Sequence, residues 1–125
     1  MKNLKYALML IISSVVLNVW FFRFNRETIY RGGKATNMIE EFAAYGLSDT
    51  LVYLVGGLKV LAAIGLLIGL FYKKAVAPSA ILMAVMMLGA IGMHFKIGDE
   101  AITFLPAGLM LTCSLALLYL NKKTA

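Results

Sequence analysis

The chain has 125 residues, of which 62% are hydrophobic and only 14% are charged, with a formal net charge of +6. Ordinary soluble domains have about 45–50% apolar and about 25% charged residues, so the composition excludes a soluble domain and indicates an integral membrane protein. The basic residues lie at the ends of apolar segments and not in one stripe, which favours a role in membrane topology and argues against nucleic-acid binding.

Four apolar segments are each long enough to cross a hydrocarbon core of about 30 Å as an α-helix. They leave little chain for anything else, so we expect an all-α fold: a four-helix transmembrane bundle in a single domain, 1–125. The first segment follows Lys2 and Lys5 as a signal peptide would, but it has no small-residue cleavage site and we expect a retained helix. The segments are residues 4–22, 50–71, 75–95 and 101–120.

An even number of crossings places both termini on one side of the membrane. That side carries six lysines and no acid, whereas the other side carries five basic residues and all six acids. Counting basic residues favours cytoplasmic N and C termini only weakly, but the lysines lie in short flanks, where the rule works best. We expect an integral protein of the bacterial cytoplasmic (inner) membrane with this orientation.

The only long connection between the segments is residues 23–49. Within it, residues 36–46 predict a short amphipathic helix, because apolar residues recur there at helical spacing. Thr36 can cap its start and Gly46 can end it. The helix would lie on the membrane surface or fold over the mouth of the bundle. Its apolar face consists of Met38, Phe42 and Tyr45.

Small residues at four-residue spacing predict close helix contacts in lipid. Gly65 with Gly69 and Ala80 with Ala84 are such pairs, and we expect them to pack the bundle internally and not to form a dimer interface. Pro106 lies about one turn inside the fourth segment, so that helix is expected to start late or to kink.

Lys59 is the residue that most strongly indicates a functional site. It has nine residues of the second segment on one side and twelve on the other. A charge near the centre of a bilayer costs at least about 2.5 kcal/mol, so the side chain is expected to face the bundle interior or a wet cavity and to have a partner. Its candidate acidic partners are Glu27, Glu40, Glu41, Asp99 and Glu100. Arg23, a basic residue on the same side of the membrane, is counted with these candidates as a further charged group.

Other polar residues of the segments lie toward the side away from the termini. Asn18, Tyr53 and His94 belong to three different segments and could converge with Lys59 on one cavity. Each also has a simpler explanation, as an interhelical hydrogen bond or as an interfacial side chain. We take these four as candidate ligand-binding residues. One histidine and one cysteine, Cys113, give no metal site, and no catalytic motif is found.

Several short motifs, in their order and spacing, resemble the DoxX family of small four-helix membrane proteins. The resemblance covers nearly the whole chain. Many members have a carboxylate near the position of Lys59, and this chain resembles a branch with lysine there, so a role of that carboxylate cannot be transferred. The motifs are Leu-Gly-Ala-Ile-Gly-Met-His at 88–94, Gly-Asp at 98–99, Leu-Pro-Ala at 105–107, Gly-Leu-Lys-Val-Leu at 57–61, Phe-Ala-Ala-Tyr-Gly-Leu at 42–47 and Tyr-Arg-Gly-Gly at 30–33.

The resemblance implies a fold more firmly than a function. The family name comes from a subunit linked to thiosulfate:quinone oxidoreduction, and distant relatives act as assembly chaperones for other membrane proteins. Our leading hypothesis is a bundle that binds a quinone- or lipid-like molecule, as a candidate subunit of a membrane redox assembly, with no intrinsic cofactor. The alternatives left open are an assembly partner for another membrane protein, a homo-oligomer, and an enzyme that uses Lys59.

Overall fold

The computed structural model describes residues 2–22, 24, 35, 37–99 and 101–124. Within them the chain is all-α, with five α-helices and two short 3-10 turns. Four helical spans are long and apolar enough to cross a membrane, which confirms the expected transmembrane bundle with a short helix in its long loop. The helices are α1 (Lys2–Phe21), α2 (Met38–Ala44), α3 (Asp49–Gly69), α4 (Val76–Ile97) and α5 (Leu105–Thr124), and the turns are Lys73–Ala75 and Ala101–Phe104.

The four long helices form a closed ring. Helix α1 packs against α3 and α5, and α4 packs against the same two helices, while α2 lies against α3. The end of the bundle that holds the start of α1, the α3–α4 connection and the end of α5 is called the terminal half. The end that holds α2 and the turn before α5 is called the cavity half.

The core of the terminal half is mostly apolar and tightly packed. Met9, Ile12, Leu66 and Leu117 have no exposed surface. A Cβ atom at Gly65 would collide with the side chain of Ser79, so α3 and α4 approach each other there as the small-residue spacing predicted. The outer surfaces of the same helices carry many exposed large apolar side chains, as lipid-facing surfaces do.

The helix boundaries follow local signals. Asn37 caps α2 by accepting a hydrogen bond from the backbone N–H of Glu40 at 2.8 Å, and Thr36, the expected cap, lies outside the described residues. Gly46 follows the end of α2 with a φ of 83°. Helix α5 begins only at Leu105, after a 3-10 turn, and has Pro106 in its first turn, so the expected late start is confirmed.

Helix α4 extends two residues beyond the predicted end of its segment, to Ile97. Gly98 then adopts the left-handed conformation, with a φ of 68°, and the backbone N–H of Asp99 donates to the carbonyl of His94 at 3.0 Å. This arrangement is typical of a helix that ends on a glycine, and it turns the chain back toward the last turn of α4. The side chain of Asp99 therefore returns to the neighbourhood of His94.

Candidate functional site

A cavity of about 670 Å³ lies in the cavity half and is lined by residues from all five helices. Its volume falls within the range of about 300–1,000 Å³ that small-molecule sites usually have. Most of the lining side chains are apolar, as in sites that hold amphipathic ligands. The side chains that can hydrogen-bond are few, namely Trp20, Glu41, Tyr45, Lys59, His94 and Thr103.

Lys59 lines this cavity from α3. Its Nζ atom lies 5.8 Å from the centre of the Trp20 ring, close enough for a cation–π interaction. The ring reaches that place because Gly56, one turn before Lys59, has no side chain, and a Cβ atom there would collide with Trp20. Lys59 is therefore held beside an aromatic face that can stabilise its charge.

Glu41 is the acid whose charge acts on the Lys59 ammonium. Within the described part of the chain, Lys59 forms no hydrogen bond and no ion pair with an N···O distance of 4.0 Å or less. The two opposite charges thus belong to the wall of one cavity without being in contact. A polar group of a ligand could bond to the ammonium without displacing a protein partner among the described residues.

A chain of hydrogen bonds runs from α2 to the end of α4. The Tyr45 hydroxyl donates to Oε1 of Glu41 at 2.8 Å, one helical turn away on α2. The same hydroxyl lies 3.4 Å from Nδ1 of His94, and Nδ1 lies 2.6 Å from Oδ2 of Asp99. Because the carboxylate can only accept, the proton of this short contact belongs to Nδ1, which donates to Asp99.

Helix α2 covers the end of the cavity half. Its apolar face, predicted from the sequence, is buried and packs with Val52 and Trp20. The side chain of Lys96 donates to the carbonyl of Tyr45 at 2.9 Å and so holds the C-terminal end of α2 against α4. Of the two expected positions for this helix, the structure shows the one over the mouth of the bundle.

The structure brings together Lys59 and His94 and leaves the other two predicted ligand-binding residues outside the cavity lining. Asn18 is exposed on α1. Tyr53 is 64% exposed and lines a separate surface pocket of about 390 Å³, where its ring stacks on Phe24.

The candidate charge partners of Lys59 lie in different places. Glu41 lines the cavity, Asp99 binds His94, and Glu40 is exposed at the start of α2. Glu27, Glu100 and Arg23 lie outside the described residues. Sequence reasoning assigned Tyr45 to the apolar face of the short helix. It did not assign Trp20 to the site, because an aromatic residue near a helix end is equally well explained as an interfacial side chain. The four-residue spacing of Glu41 and Tyr45, which places both on one face of α2, could have indicated that Tyr45 belongs to the site.

No group of three or more His, Cys, Asp or Glu side chains in the described part of the chain could hold a metal ion. The arrangement can instead hold a polar head group by hydrogen bonds, with an ammonium donor on one helix and a histidine on another. The remaining wall can enclose an apolar tail.

A comparison with protein families matches the chain to the model of the DoxX-like family over residues 27–117. The matched part includes α2, α3, α4 and most of α5, and therefore most of the cavity wall. Neither the curated proteins nor the solved structures give a significant match.

Proposed function

We propose that this chain, a multi-pass membrane protein that belongs to the DoxX-like family, binds a small amphipathic molecule in the cavity of its cavity half. The observation that carries the proposal is the position of Lys59. Its charged side chain lies well inside a membrane-spanning helix and lines a cavity of ligand size.

Lys59 has an energetic reason to bind a ligand oxygen. A charged group at membrane depth is costly unless hydrogen bonds replace its lost hydration. The Trp20 ring and the charge of Glu41 offset part of this cost. A carbonyl or hydroxyl oxygen of a ligand would supply the hydrogen bond that the described residues do not make.

The wall of the cavity suits an apolar tail that arrives from the bilayer. Four of its methionines come from α4 and α5, and their flexible side chains can adapt to tails of different shape. Several lining residues are also exposed on the outer surface of the helices, so the cavity is continuous with the lipid-facing side of the bundle. These rim residues are Val15, Val85, Leu105 and Leu109.

A quinone-like or lipid-like molecule combines such a tail with an oxygen-bearing head. Binding a quinone requires only donors in an apolar slot, and the ammonium of Lys59 is one. Electron transfer to it would require a partner protein with its own redox cofactor. We therefore assign binding to this chain, and we assign any redox step to an assembly of which it would be a subunit.

Ligand retention tests the proposal directly. The protein is extracted from its native membrane in a mild detergent, and native mass spectrometry measures the mass of retained lipophilic molecules. Lys59→Met keeps the length of the stem and removes the charge, so it should abolish retention while the bundle stays folded. Lys74→Met is the matched control, because Lys74 is exposed in the turn before α4 and far from the cavity.

Equal retention by Lys59→Met and the native chain would overturn the proposal. Unfolding of Lys59→Met in the same detergent would also overturn it, because the lysine would then be a structural tether. A stoichiometric membrane protein in place of a lipophile would support a docking or assembly role. Turnover by the purified chain alone would support the lysine-dependent enzyme.

We also propose that both termini are cytoplasmic, in the bacterial inner membrane, so that α2 and the mouth of the cavity lie on the outer side. The support is the set of acid-free lysine flanks on the terminal side. Single cysteines at Ala125 and Lys34, in a Cys113→Ala background, test this with an impermeant thiol reagent in intact cells. Labelling should occur at position 34 only, and labelling at position 125 would reverse the orientation.

A further inference from the structure

We infer that the molecule bound in this cavity presents a hydroxyl group to His94, so that its head both accepts a hydrogen bond from the protein and donates one to it. This inference rests on the proposed binding function and narrows the chemical class of the ligand. The class is an amphiphile with a phenol or alcohol group in its head, and not one whose head carries acceptors only.

The two nitrogens of the His94 ring have different roles. Nδ1 lies 2.6 Å from Oδ2 of Asp99 and donates its proton there. Tyr45 does not supply a competing proton, because its hydroxyl hydrogen is directed to Glu41 at 2.8 Å, whereas its oxygen is 3.4 Å from Nδ1. Asp99 thus acts as a positioning residue that fixes the ring proton on Nδ1.

In the neutral imidazole with its proton on Nδ1, the second nitrogen, Nε2, is left as an acceptor. No described residue forms a hydrogen bond with it. Every fully buried polar side-chain atom in the described part of the chain does have a partner, so Nε2 is not fully buried and is reached from open space. Since His94 is only 4% exposed and lines the cavity, that space is the cavity.

The ring is also held in orientation. The Phe104 ring lies 5.3 Å from the His94 ring on one side, and the Tyr45 ring makes an edge contact at 5.6 Å. A neutral imidazole whose Nδ1 donates has a lone pair on Nε2, and that lone pair can accept a hydrogen bond from a donor on the ligand. Carboxylates and phosphodiesters are acceptors only, so they could accept from Lys59 but would leave this lone pair without a proton.

The intrinsic fluorescence of the protein can report binding, because Trp20 is the only tryptophan and lines the cavity. The probes are 4-octylphenol and its methyl ether, 4-octylanisole, which has the same tail and lacks the donor. Binding to the purified protein in mild detergent is measured at about pH 8, where free imidazole is neutral. We expect the phenol to bind about fivefold more tightly than the ether, as for one hydrogen bond to a protein acceptor.

Asp99→Asn tests the positioning role. An asparagine amide can donate as well as accept, so it no longer fixes the ring proton on Nδ1, and the preference for the phenol should fall to less than about twofold. Asp49→Asn is the matched control, because Asp49 is exposed in the first turn of α3 and outside the cavity lining, and it should keep the full preference. If Asp99→Asn does not fold, His94→Phe replaces it, since phenylalanine keeps a flat ring and removes the acceptor.

The outcomes separate this inference from the proposed function. Equal binding of phenol and ether by the native protein would overturn the inference and leave the binding function intact. A full preference retained in Asp99→Asn or in His94→Phe would overturn it as well. Failure of both probes to change Trp20 emission, together with no retained lipophile in mass spectrometry, would overturn the proposed function itself.

Discussion

The terminal half and the cavity half are built from the same four long helices, yet one half is filled and the other encloses a cavity of about 670 Å³. In the terminal half the core side chains of Met9, Leu66 and Leu117 have no exposed surface. In the cavity half the space between the helices is bounded by α2, by the Trp20 ring and by the late start of α5. Closely packed helices support the site, and the polar side chains that line the cavity lie in the half where the packing stops.

Two glycines of α3 show how this difference arises. At Gly65 the missing side chain lets a neighbouring helix approach, because the place of its Cβ atom is taken by Ser79 of α4. At Gly56 the same absence admits the bulky ring of Trp20 from α1. A small residue therefore closes the bundle in one half, and in the other half it seats an aromatic ring beside Lys59.

The largest expected effect on stability comes from Gly65→Leu, which disrupts the packing of the terminal half. The added side chain would force α3 and α4 apart and should destabilise the bundle by about 3 kcal/mol, the upper part of the range for overpacked cores. Thermal unfolding in detergent, followed by circular dichroism, measures it. Gly57→Leu is the control on the same helix, since a Cβ atom there meets nothing within 4 Å. Equal stability of the two variants would show that α3 and α4 are not closely packed at Gly65.

A smaller effect should come from the charges of the cavity half. Glu41→Gln removes the acid that acts on Lys59 and should destabilise the protein, whereas Lys59→Met should preserve or raise its stability. In the double variant the lysine charge is absent and the loss of the acid should cost less. We expect a coupling energy of about 1 kcal/mol from the four unfolding measurements, because the two groups are near each other but not in contact. Strictly additive effects would show that the two charges do not interact.

The sequence was sufficient for the features that depend on length and spacing. The four spans, the short α2 helix with its buried face and the late start of α5 all follow from apolar runs, periodicity and one proline. Lys59 could be singled out because a charge at membrane depth has few alternatives.

The other parts of the site depend on which face of a helix points inward, and four nearly uniformly apolar helices carry little information about this. Asn18 was an equally good candidate from the sequence, but it lies on an exposed face of α1. The pairing of Asp99 with His94 depends on the left-handed turn at Gly98, which brings the chain back over the end of α4. Tyr53 and Trp20 are both aromatic residues near one end of a helix. Trp20 lines the cavity because its ring packs against Gly56, whereas Tyr53 remains exposed.

A local effect is expected in α2, which covers the end of the cavity half. Lys96→Met removes the hydrogen bond to the carbonyl of Tyr45 and should loosen α2 without unfolding the bundle. Hydrogen exchange of the amides of residues 41–47 should become about fivefold faster, as the loss of about 1 kcal/mol of local stability implies. Lys73→Met, at an exposed position in the terminal half, should leave these amides unchanged. Unchanged exchange in Lys96→Met would show that packing alone holds α2.

The smallest expected effect distinguishes the wall of the cavity from the surface of the same helix. Asn18 is exposed, whereas its neighbours Val19 and Trp20 line the cavity. Asn18→Ala should therefore keep the affinity for 4-octylphenol within about twofold and the stability within about 0.5 kcal/mol, since an exposed polar group loses little on truncation. Trp20 fluorescence measures the affinity in the same way as for the native protein. A tenfold loss would mean that α1 turns this face inward when a ligand binds, and the boundary between cavity wall and outer surface would then differ between the free and the bound protein.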